Sequence, residues 1–256
     1  MDAAVVAPIR YSRWLPYWAV LRTDIRQTLR SWVYRLWVVV TILAAGGFLL
    51  YRFGVHREAG IVQPSAVHTS DLIRVIALGS LALIVVLSVS AISSEKGTLA
   101  DSVLSRGISR YQYFMAKWHA RTLVVIATFS TMSLILLVAF HFLLADDLTF
   151  RGSMAGVMTL SAMLAAVVAI GVTVGAVANS TVVGITILWI FLYGTGILMT
   201  LLPNTFPTPE KMLSRLPNVL RGSYDLMSLS DWVAGGAIVA IVAGVFGMLV
   251  FSRKDV

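Results

Sequence analysis

The chain has 256 residues, of which 58% are hydrophobic and 12% are charged, and its mean hydropathy is +0.86. Because soluble domains average about 25% charged residues, this composition excludes a water-soluble globule. The formal net charge of +8 would suit nucleic acid or acidic lipid as a partner, and the positions of the charges must decide between them. Cysteine is absent, which excludes disulfides, thiolate metal sites and cysteine nucleophiles.

The first predicted element is an amphipathic helix over residues 15–35. Apolar side chains recur along it at steps of three and four, and Arg22, Arg26 and Arg30 form a separate basic stripe. Tryptophans beside a basic stripe are typical of an interfacial helix, which lies in the cytoplasmic headgroup layer of a membrane. A helix that packs on a partner protein is the alternative.

Six apolar runs follow, each long enough to cross a bilayer as a helix. A hydrocarbon core about 30 Å thick requires about 20 helical residues. The sequence therefore predicts an all-α polytopic membrane protein that forms a single transmembrane domain. The predicted spans are 36–55, 72–94, 123–145, 153–178, 182–202 and 232–251.

The distribution of basic residues between the loops predicts the orientation of these spans. With both termini in the cytoplasm, the cytoplasmic segments hold 13 of the 20 basic residues, and the seven outside are balanced by seven acidic residues. The net positive charge then lies on the cytoplasmic side, which is the distribution that membrane insertion favours. The charge is therefore interpreted as a topology signal and not as a nucleic-acid-binding surface. We expect a multi-pass protein of the cell (inner or cytoplasmic) membrane.

The loop 93–121, between the second and third predicted spans, has the most informative pattern. It reads SSEKGTLADSVLSRGISRYQYFMAKWHAR. Thr98 with Asp101 forms a capping box that predicts a short helix, and Ser109 with Gln112 forms another, at the start of the helix that continues into the third span. Because the first helix has only about eight residues, it is too short to be stable alone, which favours an external binding partner. A solvated connector is the alternative.

One set of residues in this loop forms a pattern, namely Glu95, Gly97, Thr98, Leu99, Leu104, Ser105, Ile108, Ser109, Arg110 and Lys117. It resembles the loop of ABC-2-type ABC transporter permeases, which reads approximately E-x-G-T-L, then L-S-x-P-I-S-R, then K. Gly107 stands where that family usually has proline, which keeps the helix break but fixes the chain direction less. The order of an amphipathic helix, six spans and a longer outer segment is also similar, so the topological resemblance covers the whole chain.

The resemblance implies a function for the loop. In such permeases it contains a short cytoplasmic coupling helix that binds in a cleft of a separate ABC ATPase subunit and transmits nucleotide-driven motion to the spans. The chain would then be a permease subunit that couples ATP hydrolysis to export or translocation of a substrate. Its implied partners are two ATPase copies and a second permease copy or a related permease. The coupling role is carried onto Glu95, Gly97, Thr98, Leu99, Leu104, Ser105 and Arg110.

The sequence contains no motif for ATP hydrolysis. A P-loop requires a lysine followed by serine or threonine, and none of the four lysines is followed by either. We therefore expect a non-catalytic subunit without a cofactor of its own, and ATP and Mg²⁺ on the partner ATPase. No two of the four histidines have the spacing of a metalloprotease helix, so a metal site is not expected.

Two other functions stay open. The same loop would serve a mechanical or assembly subunit that transmits ATPase motion to an extracytoplasmic partner protein without carrying cargo. A channel or an ion-coupled carrier is a further possibility, which the absence of Asp, Glu and Lys from the predicted spans disfavours.

The outer segment 203–231, between the last two spans, is rich in proline. In the similar family this region forms short re-entrant helices. An interfacial helix is the alternative, because charged side chains disfavour deep burial in lipid. Apolar residues at helical steps in this segment are Met212, Leu213, Leu216, Val219 and Leu220.

Small residues four apart occur in the later spans and allow close helix contacts. From the sequence they suit either the core of the bundle or a dimer face. They are Gly171 and Gly175 in the fourth span, and Gly236, Ala240 and Gly244 in the sixth.

Overall fold

The computed structural model describes residues 14–59, 64–95, 108–143, 147–201 and 208–253. Within these ranges the secondary structure consists of eight α-helices and no strands. In chain order the helices are α1 Leu15–Arg30, α2 Trp32–Ala59, α3 Ser65–Ser93, α4 Arg110–Leu143, α5 Phe150–Val177, α6 Thr181–Thr200, α7 Pro209–Leu220 and α8 Leu226–Arg253.

Six of the described helices are long and apolar enough to cross a membrane, so the protein is an all-α, multi-pass membrane protein, as the sequence predicts. Helix α4 extends furthest beyond its predicted run, with 34 residues. Such a helix is about 50 Å long, so its first turns reach beyond a hydrocarbon core about 30 Å thick. The candidate spans are Trp32–Val55, Ala66–Ser93, Arg110–Phe142, Phe150–Val177, Thr181–Thr200 and Leu226–Arg253.

The amphipathic helix is present, but its predicted range of 15–35 is wrong at the carboxyl end. Helix α1 ends at Arg30, because Ser31 has an extended backbone with φ −65° and ψ 145°. The Ser31 hydroxyl accepts a hydrogen bond from the backbone N–H of Tyr34 at 3.2 Å, as a residue that caps the next helix does. The chain therefore turns at Ser31, and the first span is a separate helix.

Helix α7 lies in the segment between the last two spans and packs against α5 and α3. A Cβ atom at Gly152 of α5 would lie 2.6 Å from the carbonyl oxygen of Leu220, so this close approach requires glycine. The predicted apolar positions share one face, since Leu213 is partly buried and four others are buried, namely Met212, Leu216, Val219 and Leu220.

The small residues of the later spans lie at contacts inside the bundle. Helix α5 packs most extensively against α8 and then against α3. A Cβ atom at Gly244 of α8 would lie 2.7 Å from the Trp118 ring, and one at Gly175 of α5 would lie 3.2 Å from Cα of Val89. Of the two alternatives left open by the sequence, the bundle core is the one that these positions occupy. Ala240 is likewise buried, and Gly171 and Gly236 face Ser88 and Ala162.

Consecutive spans run in opposite directions, so the connections gather at two ends of the bundle. The first, which we call the Glu95 end, brings the last turn of α3 beside the first turn of α6, where the hydroxyls of Ser93 and Thr181 are 2.8 Å apart. The second, the Asp147 end, holds the start of α3, the start of α5 and all of α7. There Asp147 accepts a hydrogen bond from the backbone N–H of Ala66 at 2.8 Å and pairs with Arg221, also at 2.8 Å.

Candidate functional site

A cluster of buried charges at the Glu95 end joins α1, α4 and the residue at which the loop 93–121 leaves α3. Lys117 of α4 donates one hydrogen bond to Asp24 of α1 at 2.8 Å and another to Glu95 at 2.6 Å. Arg121, also on α4, donates to the same carboxylate of Asp24 at 3.3 Å. We call Asp24, Glu95, Tyr113, Lys117 and Arg121 the ion cluster.

Helix α4 supplies three of these side chains from a single face. Tyr113, Lys117 and Arg121 are spaced four residues apart, which places them one above another on a helix. The Tyr113 hydroxyl donates to Oε2 of Glu95, while Lys117 occupies Oε1, so both oxygens of this carboxylate are engaged. The Lys117 ammonium also lies 5.6 Å from the centre of the Tyr113 ring, within the range of a cation–π contact.

The start of α4 is fixed by the capping box that the sequence predicts. The backbone N–H of Gln112 donates to the Ser109 hydroxyl at 3.2 Å, and the backbone N–H of Ser109 donates to the Gln112 side chain at 3.4 Å. Because this reciprocal pair satisfies N–H groups that a helix start leaves open, α4 has a defined first turn at Arg110. The face that bears the ion cluster begins at Tyr113, less than one turn further on.

The charges of the cluster are shielded from solvent and compensate one another. The side chain of Asp24 is 1% exposed and that of Lys117 is 4% exposed. Two carboxylates face two cations, which is the condition under which buried charges are tolerated. Glu95 is the most accessible member, with a side chain that is 20% exposed, because it lies where the loop leaves the bundle.

A second polar contact holds α1 against α4 beside the cluster. The Tyr17 hydroxyl of α1 lies 2.8 Å from Nδ1 of His119 on α4. A tyrosine phenol is protonated at neutral pH, and burial raises the pKa of Tyr17 further, so its hydroxyl is able to donate to an unprotonated ring nitrogen. The amphipathic helix is thus attached to α4 at two levels, by Tyr17 and by Asp24.

The last turns of α8 pack against the same part of α4. Phe251 stacks on Tyr113 with ring centres 6.0 Å apart and lies equally close to Phe114. Gly247, one turn earlier, has space for no side chain, since a Cβ atom there would collide with Phe114. A displacement of the first turns of α4 would therefore disturb the packing of α8 as well as that of α1.

Of the residues to which the sequence assigns a coupling role, two lie in the described part of the chain. Glu95 belongs to the ion cluster, and Arg110 is the first residue of α4. The predicted coupling helix lies outside the described residues, with Gly97, Thr98, Leu99, Leu104 and Ser105.

Four members of the cluster are missing from the predicted site, namely Asp24, Tyr113, Lys117 and Arg121, although Lys117 belongs to the loop pattern. The sequence does contain a signal for them. Asp24 is the single acidic residue between 14 and 35, a stretch otherwise charged only by arginine. The spacing of Tyr113 and Arg121 from Lys117, four residues on either side, would have placed all three on one face.

The arrangement is suited to holding helices together. Hydrogen bonds and ion pairs inside the cluster engage both oxygens of Glu95 and the charged groups of Asp24, Lys117 and Arg121. Among the residues that the structure describes, no group of three His, Asp or Glu side chains is placed to hold a metal ion. No protein-family model matches the chain, and no curated protein sequence matches it.

Proposed function

We propose that this protein is the membrane-spanning subunit of an ATP-driven transporter of the ABC-2 type, whose loop 93–121 binds a separate ATPase subunit. The observation that supports this most directly is the ion cluster, because it fixes Glu95, at the root of the loop, to α4 and, through Lys117, to α1. The resemblance of the loop to the ABC-2 pattern supports an ATPase as the partner.

In this proposal the ion cluster transmits the motion of the ATPase. A force on the loop reaches the bundle at two residues, Glu95 at the end of α3 and Ser109 at the start of α4. Since Lys117 binds Glu95 and Asp24 at once, α1 and α4 move together when the loop moves. Hydrogen bonds between charged groups are the strongest that proteins form, and burial strengthens them further, so the connection resists stretching.

The proposed orientation places the Glu95 end and both termini in the cytoplasm, in the cell (inner or cytoplasmic) membrane. The predicted distribution of basic residues supports it. So does α1, whose arginines Arg22, Arg26 and Arg30 are exposed, together with Trp18, as a headgroup-facing surface would require. A second permease, identical or related, and two ATPase copies with ATP and Mg²⁺ complete the proposed assembly.

Purification of a tagged chain from membranes of its native cells tests the proposal. We expect an ATPase with a P-loop to purify with it and the complex to hydrolyse ATP. Leu99→Asp combined with Leu104→Asp should abolish the association, because the proposed contact is apolar. The control is Leu226→Asp combined with Met227→Asp, at two exposed apolar positions of the opposite end, which should leave the association intact. An ATPase retained by the loop variant would contradict the site.

Reconstitution of the purified complex in vesicles separates a transporter from the alternatives. Uptake or release of a compound that requires ATP supports the proposal. ATP hydrolysis without any cargo would instead support a mechanical or assembly subunit that acts on an extracytoplasmic protein. Transport by the chain alone, with no ATPase present, would contradict both.

A further inference from the structure

A groove opens at the Asp147 end between α7 and the first turns of α8. Its volume is about 400 Å³, within the range of small-molecule sites in proteins. The sequence gives no indication of it, because its two walls are brought together by packing on other helices: α7 packs against α5 and α3, and α8 packs against α5 and α4. It is separated from the ion cluster by the length of the spans.

The lining of the groove changes from polar to apolar along α8. Three polar residues line it before the span begins at Leu226, namely Ser223, Tyr224 and Asp225. Inside the span the lining consists of Ser228 and Leu229, about one turn in, and Trp232, nearly two turns in. On the opposite wall, α7 contributes Met212, Arg215, Asn218 and Val219. The groove therefore crosses the boundary between the headgroup layer and the hydrocarbon of a membrane, where tryptophan is characteristically found.

The charges of the groove leave one cation available to a ligand. Arg215 and Asp225 both line it. Both oxygens of Asp225 accept backbone hydrogen bonds at the start of α8, from Met227 at 3.2 Å and Ser228 at 3.3 Å. Arg215 is exposed and, within the residues that the structure describes, forms no ion pair.

We propose that this groove binds one membrane phospholipid. Arg215 contacts the phosphodiester, Asn218 and Tyr224 offer hydrogen bonds to the rest of the headgroup, and the first part of an acyl chain lies against Leu229 and Trp232. An amphiphile with a single anionic group matches the polarity gradient and the single cation. This inference requires only that the chain spans a membrane, so it is independent of the proposed ATP-driven function.

Native mass spectrometry of the full chain released from detergent tests the site by counting bound molecules during titration. The probes are dioleoyl-phosphatidylglycerol, glycerol phosphate as the headgroup without tails, and dioleoylglycerol as the tails without phosphate. We expect one phospholipid to bind more tightly than either partial probe. In Arg215→Gln its dissociation constant should rise by about tenfold, the effect of losing a charge-assisted hydrogen bond.

Two further variants make the result decisive. Arg151→Gln removes an exposed cation from the first turn of α5, at the same end but outside the groove, and should leave the affinity unchanged. Leu229→Gln keeps Arg215 and should weaken binding through the acyl chain. Equal affinities of the wild type and Arg215→Gln would overturn the proposal, as would an equal loss in Arg151→Gln. Glycerol phosphate that binds as tightly as the phospholipid would show a simple anion site and would overturn it as well.

Discussion

Asp24 is held between two cations, Lys117 and Arg121, and its neutralisation would leave Arg121 without a carboxylate and Lys117 with Glu95 alone, in a buried site. Breaking a buried ion pair by removing one partner costs about 3–5 kcal/mol. We therefore expect Asp24→Asn to lower the melting temperature of the detergent-purified protein by about 10 °C. The melt is followed by circular dichroism or by static light scattering.

Asp231→Asn is the matched control for this prediction, because Asp231 is exposed on α8. It should shift the melting temperature by no more than about 2 °C, as surface substitutions usually do. Combining Asp24→Asn with Arg121→Met should recover part of the loss, since the second change removes the cation that the first leaves without a carboxylate. Equal effects of Asp24→Asn and Asp231→Asn would show that the ion cluster contributes nothing to stability.

Glu95 connects the loop to the cluster, so its charge should matter more for coupling than for folding. In Glu95→Gln the amide oxygen is still able to accept a hydrogen bond, while the ion pair with Lys117 is lost. We expect the proposed ATPase to remain bound and the transport achieved per ATP hydrolysed to fall severalfold. Both rates are measured in vesicles that contain the purified complex.

Ser94→Ala, at the exposed neighbour of Glu95, is the control for coupling and should keep the wild-type ratio of transport to hydrolysis. A Glu95→Gln complex with an unchanged ratio would show that motion enters the spans by another route. Loss of ATPase binding in the same variant would assign Glu95 to docking and not to transmission.

At the scale of elements, the position of α7 depends on the absence of a side chain at Gly152. A Cβ atom there would lie 2.6 Å from the carbonyl oxygen of Leu220. A backbone atom cannot rotate away from such a contact as a flexible side chain can. We expect Gly152→Ala to push α7 away from α5 at a cost of about 1–3 kcal/mol, the usual cost of overpacking. Hydrogen exchange of the α7 amides, measured by mass spectrometry, should become faster.

Gly194→Ala in α6 provides the comparison, because a Cβ atom at Gly194 meets nothing within 4 Å. It should leave α7 exchange unchanged and stabilise α6 slightly, as alanine is the better helix former. If Gly152→Ala exchanged no faster than Gly194→Ala, the close contact between α5 and α7 would not exist in solution.

At the scale of the whole molecule, the alternating spans predict which connections share a side of the membrane. Asn179 lies in the turn between α5 and α6 at the Glu95 end, and Asn218 lies on α7 at the Asp147 end, both exposed. Because the chain has no cysteine, Asn179→Cys and Asn218→Cys introduce single thiols. In intact cells an impermeant maleimide should label only residue 218, and residue 179 should react after lysis.

Labelling of both residues from outside would contradict the alternating spans. Labelling of residue 179 alone would keep the spans and reverse the proposed orientation. The two outcomes therefore test the architecture and the direction of insertion separately, with the same pair of variants.

The six spans could be predicted because hydropathy is a local property that each apolar run carries by itself. The capping box of Ser109 and Gln112 was predictable for the same reason, since both partners lie within one turn. The contact between Asp24 and Lys117 was not, because 93 residues separate them and only the packing of α1 against α4 brings them together.

Hydropathy also failed to distinguish spans that are buried in the bundle from spans that are exposed on its surface. Helices α5 and α6 are similarly apolar, yet α5 is half buried and α6 is mostly exposed. The reason is physical: lipid tails are as apolar as a protein interior, so lipid-facing and buried helices need the same composition. Small residues were the better guide, because Gly171 and Gly175 mark the face of α5 that α3 approaches.

The ion cluster also has an electrical consequence. Its two carboxylates and two cations sum to zero. Carrying one elementary charge through 100 mV of membrane voltage requires about 2.3 kcal/mol, whereas a neutral group travels without such work. A motion that shifts these four side chains as one unit would therefore carry no net charge through the membrane voltage. Its energetic cost would be the same in a polarised cell and in a depolarised one.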